Sequence, residues 1–291
     1  MIVLPRERPV REAVLAAAVR RGFSEFKEEL IRVQQGLAGE FYVDRQWQDM
    51  QLHEPYFLLH DFQIDAHQID TIFLCRKFLL LLEIKNIAGR IHIDGATHQF
   101  TRKLGDGSEQ GFRNPLNQAQ RHQRMLAQYI STLPIYYVVV LAHYKTIIEQ
   151  MPPNTPIIHS SGLELHVRKL LASHKSILSN EQLKQLLHQL FQMCTTHSLR
   201  LNINISSIRK GVLCNNCSVT MYYKHGQFTC PKCNGTLVQE ALHDYALLVD
   251  EWISNEKLRV FLKIDSIHAA KRLLKKLNLP HEGQKKIGDI K

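Results

Sequence analysis

The chain has 291 residues, 44% of them hydrophobic, and carries 37 Lys/Arg against 27 Asp/Glu for a formal charge of +10. That length accommodates one large domain with one or two small ones, and no apolar run approaches the ~20 residues needed to span a bilayer. The basic balance favours an anionic partner, nucleic acid or a membrane surface. The opening "MIVLPRERPVREAVLAAAV" is too short in its apolar run, and too broken by charge, for a signal peptide, so a cytoplasmic protein without a membrane segment is expected.

In chain order, residues 9–50 read as helix in two segments broken near Gly22, and the first 25 residues carry no recognisable role. Strands are predicted at 56–60, 68–75, 78–86 and 90–94, with a weaker one near 97–101. The glycine-rich stretch 102–114 reads as a loop, after which Asn114 caps a helix that begins at Pro115 and runs to about 132. "PIYYVVVLA" (134–142) is a buried strand, "MPPNTP" (151–156) a turn and "IIHS" a short strand, with helices near 162–173 and 180–195. Strands with helices on both sides in sequence imply an α/β or α+β layer structure.

In "FLLLLEIKNIAG" (78–89) an apolar run meets Glu83 and Lys85. Side chains alternate across a strand, so these two share one face. A hairpin centred on Arg76–Lys77 sets Asp70 directly opposite Glu83, where like charges destabilise a sheet unless a divalent cation lies between them. Glu40 falls on the apolar stripe of its helix with Val33, Leu37, Phe41 and Asp44, a costly place for an unpartnered carboxylate. Gly36 and Gly39 in the same helix imply close approach of another backbone or a ligand. Asp61 and Asp65, in "HDFQIDAH", read as turn acids. Acids and a lysine at one sheet edge suit phosphodiester hydrolysis: the acids hold Mg²⁺, which activates a water, and the lysine orients that water or neutralises the transition state.

"LAGE" (37–40), "QIDTIFL" (68–74), "LEIKNIAGRI" (82–91) and "NPLNQ" (114–118) resemble, in order and spacing, the nuclease-related domain (NERD) family over about residues 30–145. The resemblance implies a restriction-endonuclease-like α/β fold, a mixed sheet flanked by helices, with Glu40, Asp70, Glu83, Lys85 and Gln118 as the active-site set and Asp70 and Glu83 holding Mg²⁺ or Mn²⁺. Gln118 would orient a water or phosphate near the start of its helix. Related nucleases often carry tyrosine four residues after this glutamine, where this chain has His122.

"CNNC" (214–217) and "CPKC" (230–233) form C-x2-C-x12-C-x2-C around an alternating hairpin with a "KHGQ" turn, the pattern of a zinc ribbon. Cys214, Cys217, Cys230 and Cys233 would fill all four positions of a structural Zn²⁺, leaving His197 and His225 surplus and Cys75 and Cys194 as inert core thiols. From 239 the chain reads as helical and basic, with Asn255 and Ser266 as N-caps and Lys/Arg facing away from Leu258, Phe261, Leu262, Leu273, Leu274 and Leu277. It reads equally as a helix-turn-helix-like nucleic-acid contact or a solvated helical cap. The expected organisation is a nuclease-like domain (1–198), a zinc ribbon (205–238) and a basic helical segment (239–291). The expected function is Mg²⁺-dependent DNA cleavage, with non-catalytic nucleic-acid binding as the alternative and oligomeric state open.

Overall fold

The computed structural model describes residues 1–195, 201–233, 239–279 and 289–290. His197, and the tail's Glu282, Lys285, Lys286 and Lys291, lie outside the described residues. The strands are β1 (Ile2–Leu4), β2 (Tyr56–Ile64), β3 (His67–Cys75), β4 (Leu79–Lys85), β5 (Gly89–Ile93), β6 (Phe100–Lys103), β7 (Glu109–Phe112), β8 (Ile135–Leu141), β9 (Thr146–Gln150), β10 (Ile157–His159), β11 (Tyr222–Lys224) and β12 (Gln227–Thr229). The helices are α1 (Val10–Arg20), α2 (Lys27–Asp49), α3 (Pro115–Leu126), α4 (Leu163–Ser173), α5 (Asn180–Met193), α6 (Gln239–Leu248), α7 (Asn255–Leu262) and α8 (Ile267–Leu277).

The chain divides into two compact units, one of residues 1–7 and 33–197 and another of 8–32 and 198–291. These boundaries differ from the expected 1–198, 205–238 and 239–291: residues 8–32 go with the C-terminal part, and the ribbon and the helices after it share one core.

The first unit is built on a mixed six-stranded sheet in the order β1-β2-β3-β4-β8-β10. The pairs β2–β3 and β3–β4 are antiparallel, while β4–β8 and β8–β10 are parallel. β4 is central and buried on both faces, which explains its unbroken apolar run. Leu80, Leu82 and Ile84 pack with Val43 and Trp47 of α2 and Leu163 and Val167 of α4. Leu79 and Leu81 face the other way, with Leu126 of α3 and Leu183, Leu186 and Leu190 of α5. This is the expected α/β sheet flanked by helices.

A second sheet, in the order β7-β6-β5-β9, packs Ile91, Ile93 and Phe100 against Ala119 of α3 and Val139 and Leu141 of β8. It corrects the expected loop over 102–114: β6 and β7 form a hairpin around Leu104–Ser108. β7 is exposed along its length and carries no apolar alternation to betray it. α3 starts where expected, with the Asn114 side chain accepting from Leu116 N, but ends at Leu126, six residues early.

In the second unit the ribbon hairpin β11–β12 turns through His225 and Gly226, both at positive φ (52° and 84°), as a two-residue type I′ turn requires. Phe228 and Met221 of the ribbon share a core with Val14 and Ala18 of α1, Tyr245 of α6, and Leu258, Phe261 and Leu274 of α7 and α8. Asp244 of α6, fully buried, takes Arg20 of α1 and Arg21, which follows that helix, at 2.6 Å each. Arg21 also donates to the Gly211 carbonyl at 2.6 Å. Ser254, one residue before the expected Asn255, caps α7, and Ser266 caps α8 as expected.

Candidate active site and metal centre

The register of the β3–β4 hairpin is the expected one, with Thr71 opposite Leu82 and Leu74 opposite Leu79. It sets Asp70 across from Glu83, and Glu83 lies on the sheet face covered by α3, 3.8 Å from His122 of that helix. Asp70 is one step beyond the last paired residue, and its Oδ2 accepts from Ile84 N at 2.6 Å. Lys85 Nζ donates to Glu83 Oε1 at 2.5 Å and to Gln118 Oε1 of α3 at 3.5 Å. Asp70, Glu83, Lys85 and Gln118 are therefore brought together.

Glu40 arrives from α2, the helix on the other side of the sheet. Its neighbours on the buried face are Leu37, Val43, Asp44 and Trp47, whereas Phe41, expected on that face, is exposed. At Gly39 α2 closely approaches the residues that follow β4 and β8: an added Cβ would lie 2.5 Å from Asn86 Cβ and 3.3 Å from Ala142 Cβ. Gly36 has nothing within 4 Å and meets no such need.

The sequence reading missed Arg6. Its buried guanidinium donates to Glu40 and Asp61 at 2.6 Å, to Asp44 at 2.7 Å and to the Asp70 carbonyl at 2.7 Å. Asp61 is thus a strand residue of β2 in this cluster, at φ 49°, and not a turn acid. Asp65, at φ 49° between β2 and β3, is one. In "PRERPVRE" nothing local separates Arg6 from Arg8 and Arg11; only the parallel pairing of β1 with β2 brings it to the acids.

The electrostatics follow from burying this many carboxylates together. Burial first, then the negative charge of Asp70, pushes Glu83 up to about 8 and Glu40 up to about 7, against the opposing pull of Lys85 and Arg6 respectively. Burial raises Asp70 as well, opposed by Lys85 and the Ile84 N–H. Burial would lower Lys85, but Glu83, Asp70 and Glu40 more than offset it and hold the ammonium charged. His122 Nδ1 lies 3.8 Å from Glu83 Oε2, and burial followed by His67 and Arg121 lowers the imidazole to about 4, so it is neutral near pH 7.

Glu83 Oε2 is buried without a hydrogen-bond partner. An unsatisfied carboxylate oxygen beside Asp70 fits a hard divalent cation, and oxygen donors of this kind suit Mg²⁺. Lys85 draws Glu83 and Arg6 draws Glu40, and the three carboxylates do not close into a group with all ligand oxygens within 4.8 Å.

Among the described residues, the group that does close to that distance is Cys214, Cys217, Cys230 and Cys233. Cys214 and Cys233 sulfurs are 3.4 Å apart, and the crowded sulfurs, Cys233 first, push the Cys217 thiol up to about 12. Two C-x2-C turns joined by a hairpin could bind one tetrahedral zinc with every position filled by protein. His225 lies in the exposed turn of that hairpin and is not in the cysteine cluster. No helix among the described residues is long and apolar enough to cross a membrane.

Against known families, the nuclease-related domain (NERD) model matches residues 35–142, an interval that contains Glu40, Asp70, Glu83, Lys85 and Gln118 but not Arg6. No curated protein and no solved structure matches the chain. Residues 35–142, with the mixed sheet and the converging acids, lysine and glutamine, are a nuclease-related domain, carried in one chain with a four-cysteine ribbon.

Proposed function

We propose that this protein is a Mg²⁺-dependent nuclease that hydrolyses phosphodiester bonds in DNA. The observation that carries the reading is Glu83: 2% exposed, one oxygen on Lys85, the other without a partner, and Asp70 beside it. Asp70 and Glu83, with Glu40 nearby, would hold Mg²⁺ or Mn²⁺. Bound there, the ion would lower the pKa of a water and neutralise charge on the scissile phosphate.

This chain's own groups do the rest. Lys85, held charged by its acidic surroundings, neutralises charge developing on the phosphate oxygens. Gln118 accepts from Lys85 and keeps the ammonium directed into the site, leaving its amide to orient the attacking water. Arg6 neutralises Glu40, Asp44 and Asp61, so that a substrate phosphate does not meet three further uncompensated anions. The four cysteines would hold a structural zinc. The net charge of +10 favours a polyanionic substrate.

The test is cleavage of supercoiled plasmid by purified protein in Mg²⁺ or Mn²⁺, beside Glu83→Gln and Lys85→Ala proteins matched for zinc content. Cutting abolished by metal omission and by both substitutions supports the proposal. Intact DNA binding without cutting would replace it with a binding role for the nuclease-like fold.

A further inference from the structure

We infer that the exposed face of α8 binds the sugar-phosphate backbone of the nucleic acid; the inference rests on the nuclease reading for the identity of that partner. α8 buries Ala269, Ala270, Leu273 and Leu274 and exposes Lys271, Arg272, Lys275 and Lys276. Their spacing at i, i+1, i+4 and i+5 sets four cations on one side of the helix within about 7.5 Å along its axis. No acid lies on α8.

Among the described residues of the unit, nothing neutralises this face. Among the described residues none of the four forms an ion pair, whereas Lys257, one helix earlier, is held by Asp250 at 2.7 Å. Lys271 with Lys275, and Arg272 with Lys276, are like charges one turn apart, an arrangement that destabilises an isolated helix. The negative helix C-terminus favours Lys275 and Lys276 in the last turn but leaves Lys271 and Arg272 unaccounted for. A polyanion relieves all four.

The chemistry selects nucleic acid over an anionic lipid surface. A membrane-binding amphipathic helix inserts its apolar face, but that face of α8 is already packed in the core with Leu258, Phe261 and Leu262 of α7. What α8 presents is charge alone, on a helix fixed by the Ser266 cap and by its own burial. A duplex offers one phosphate charge per ~1.7 Å of its axis, dense enough to meet every cation on the face. The four side chains carry no sequence-reading pattern, so the contact holds substrate irrespective of sequence.

The test is fluorescence anisotropy of the full chain with a labelled random-sequence duplex of about 30 bp, without added divalent metal, from ~50 to ~200 mM salt. The variant replaces Lys271, Arg272, Lys275 and Lys276 together with Gln, checked by circular dichroism and zinc content. At about 100 mM salt its affinity should fall at least about tenfold, and the slope of log K against log salt should shallow by about 3–4, since each phosphate contact contributes about 0.9. A second variant, Lys→Arg at 271, 275 and 276, should keep the wild-type slope. An unchanged slope in the Gln variant overturns the inference, as does loss of binding to phosphatidylserine vesicles with DNA binding intact. Cleavage is scored separately. A protein that binds with this slope but never cuts removes the nuclease reading and keeps this one; a protein that cuts while its slope ignores α8 does the reverse.

Discussion

Glu83 and Arg6 carry opposite halves of the site's electrostatics. The Glu83 and Glu40 carboxyls are raised from 4.5 to about 8 and about 7, so the folded chain holds protons there that the unfolded chain releases. Stability from these groups is fully present below about 4.5 and is lost as pH rises through 7 to 8. Metal-free protein should therefore show a urea midpoint that falls across that window, and Glu83→Gln should flatten part of the fall; an equally steep fall in the variant would show that Glu83 is not its source. Arg6 poses the converse problem, because removing it strands three acids. Arg6→Ala should cost about 3 kcal/mol in urea unfolding, at the lower end for a broken buried pair since Glu40 and Asp61 keep some exposure. A cost below about 0.5 kcal/mol would place it with ordinary surface pairs. Glu83, Lys85 and Asp70 were legible because strand alternation and a hairpin centre are local arithmetic. Arg6 was not, because its partners lie 34 to 64 residues away.

At the scale of elements, α2 sets how closely Glu40 approaches the sheet. Gly39→Ala would drive a methyl into Asn86, next to Lys85, so it should lower both stability and cleavage. Gly36→Ala, with open space around it, should instead raise stability by about 0.5–1 kcal/mol, the ordinary gain of removing a mid-helix glycine. Equal effects of the two in urea unfolding would refute the close-approach explanation. The central strands, the Asn114 cap and the ribbon turn were readable because each has a short-range chemical signature. The β6–β7 hairpin was not, because exposed edge strands need no apolar alternation. The end of α3 was misread because Ile130 and Leu133 continue its apolar spacing into the turns that follow and pack in the same core as Leu126.

For the whole molecule, the division into units was only partly legible. The ribbon was plain from four cysteines, but Asp244 meets Arg21 across 223 residues of sequence, and no local pattern announces that α1 belongs with the ribbon. Because the ribbon, α1 and α6 to α8 share one core, removing a zinc held by the four cysteines, as proposed, should loosen all of them together. Hydrogen exchange after chelation should lose protection in 10–20, 222–229 and 239–277 while β2 to β4 keep theirs; loss confined to the ribbon would contradict a shared core.

The most direct measurement of the central claim is the single-turnover cleavage rate on a defined DNA duplex in saturating Mg²⁺, for the wild type, Glu83→Gln and Lys85→Ala. Each substitution should slow the wild-type rate by at least about 10²-fold, the usual loss when a group that stabilises the transition state is removed. Folded variants that cut as fast as the wild type would show that phosphodiester hydrolysis does not occur at this site.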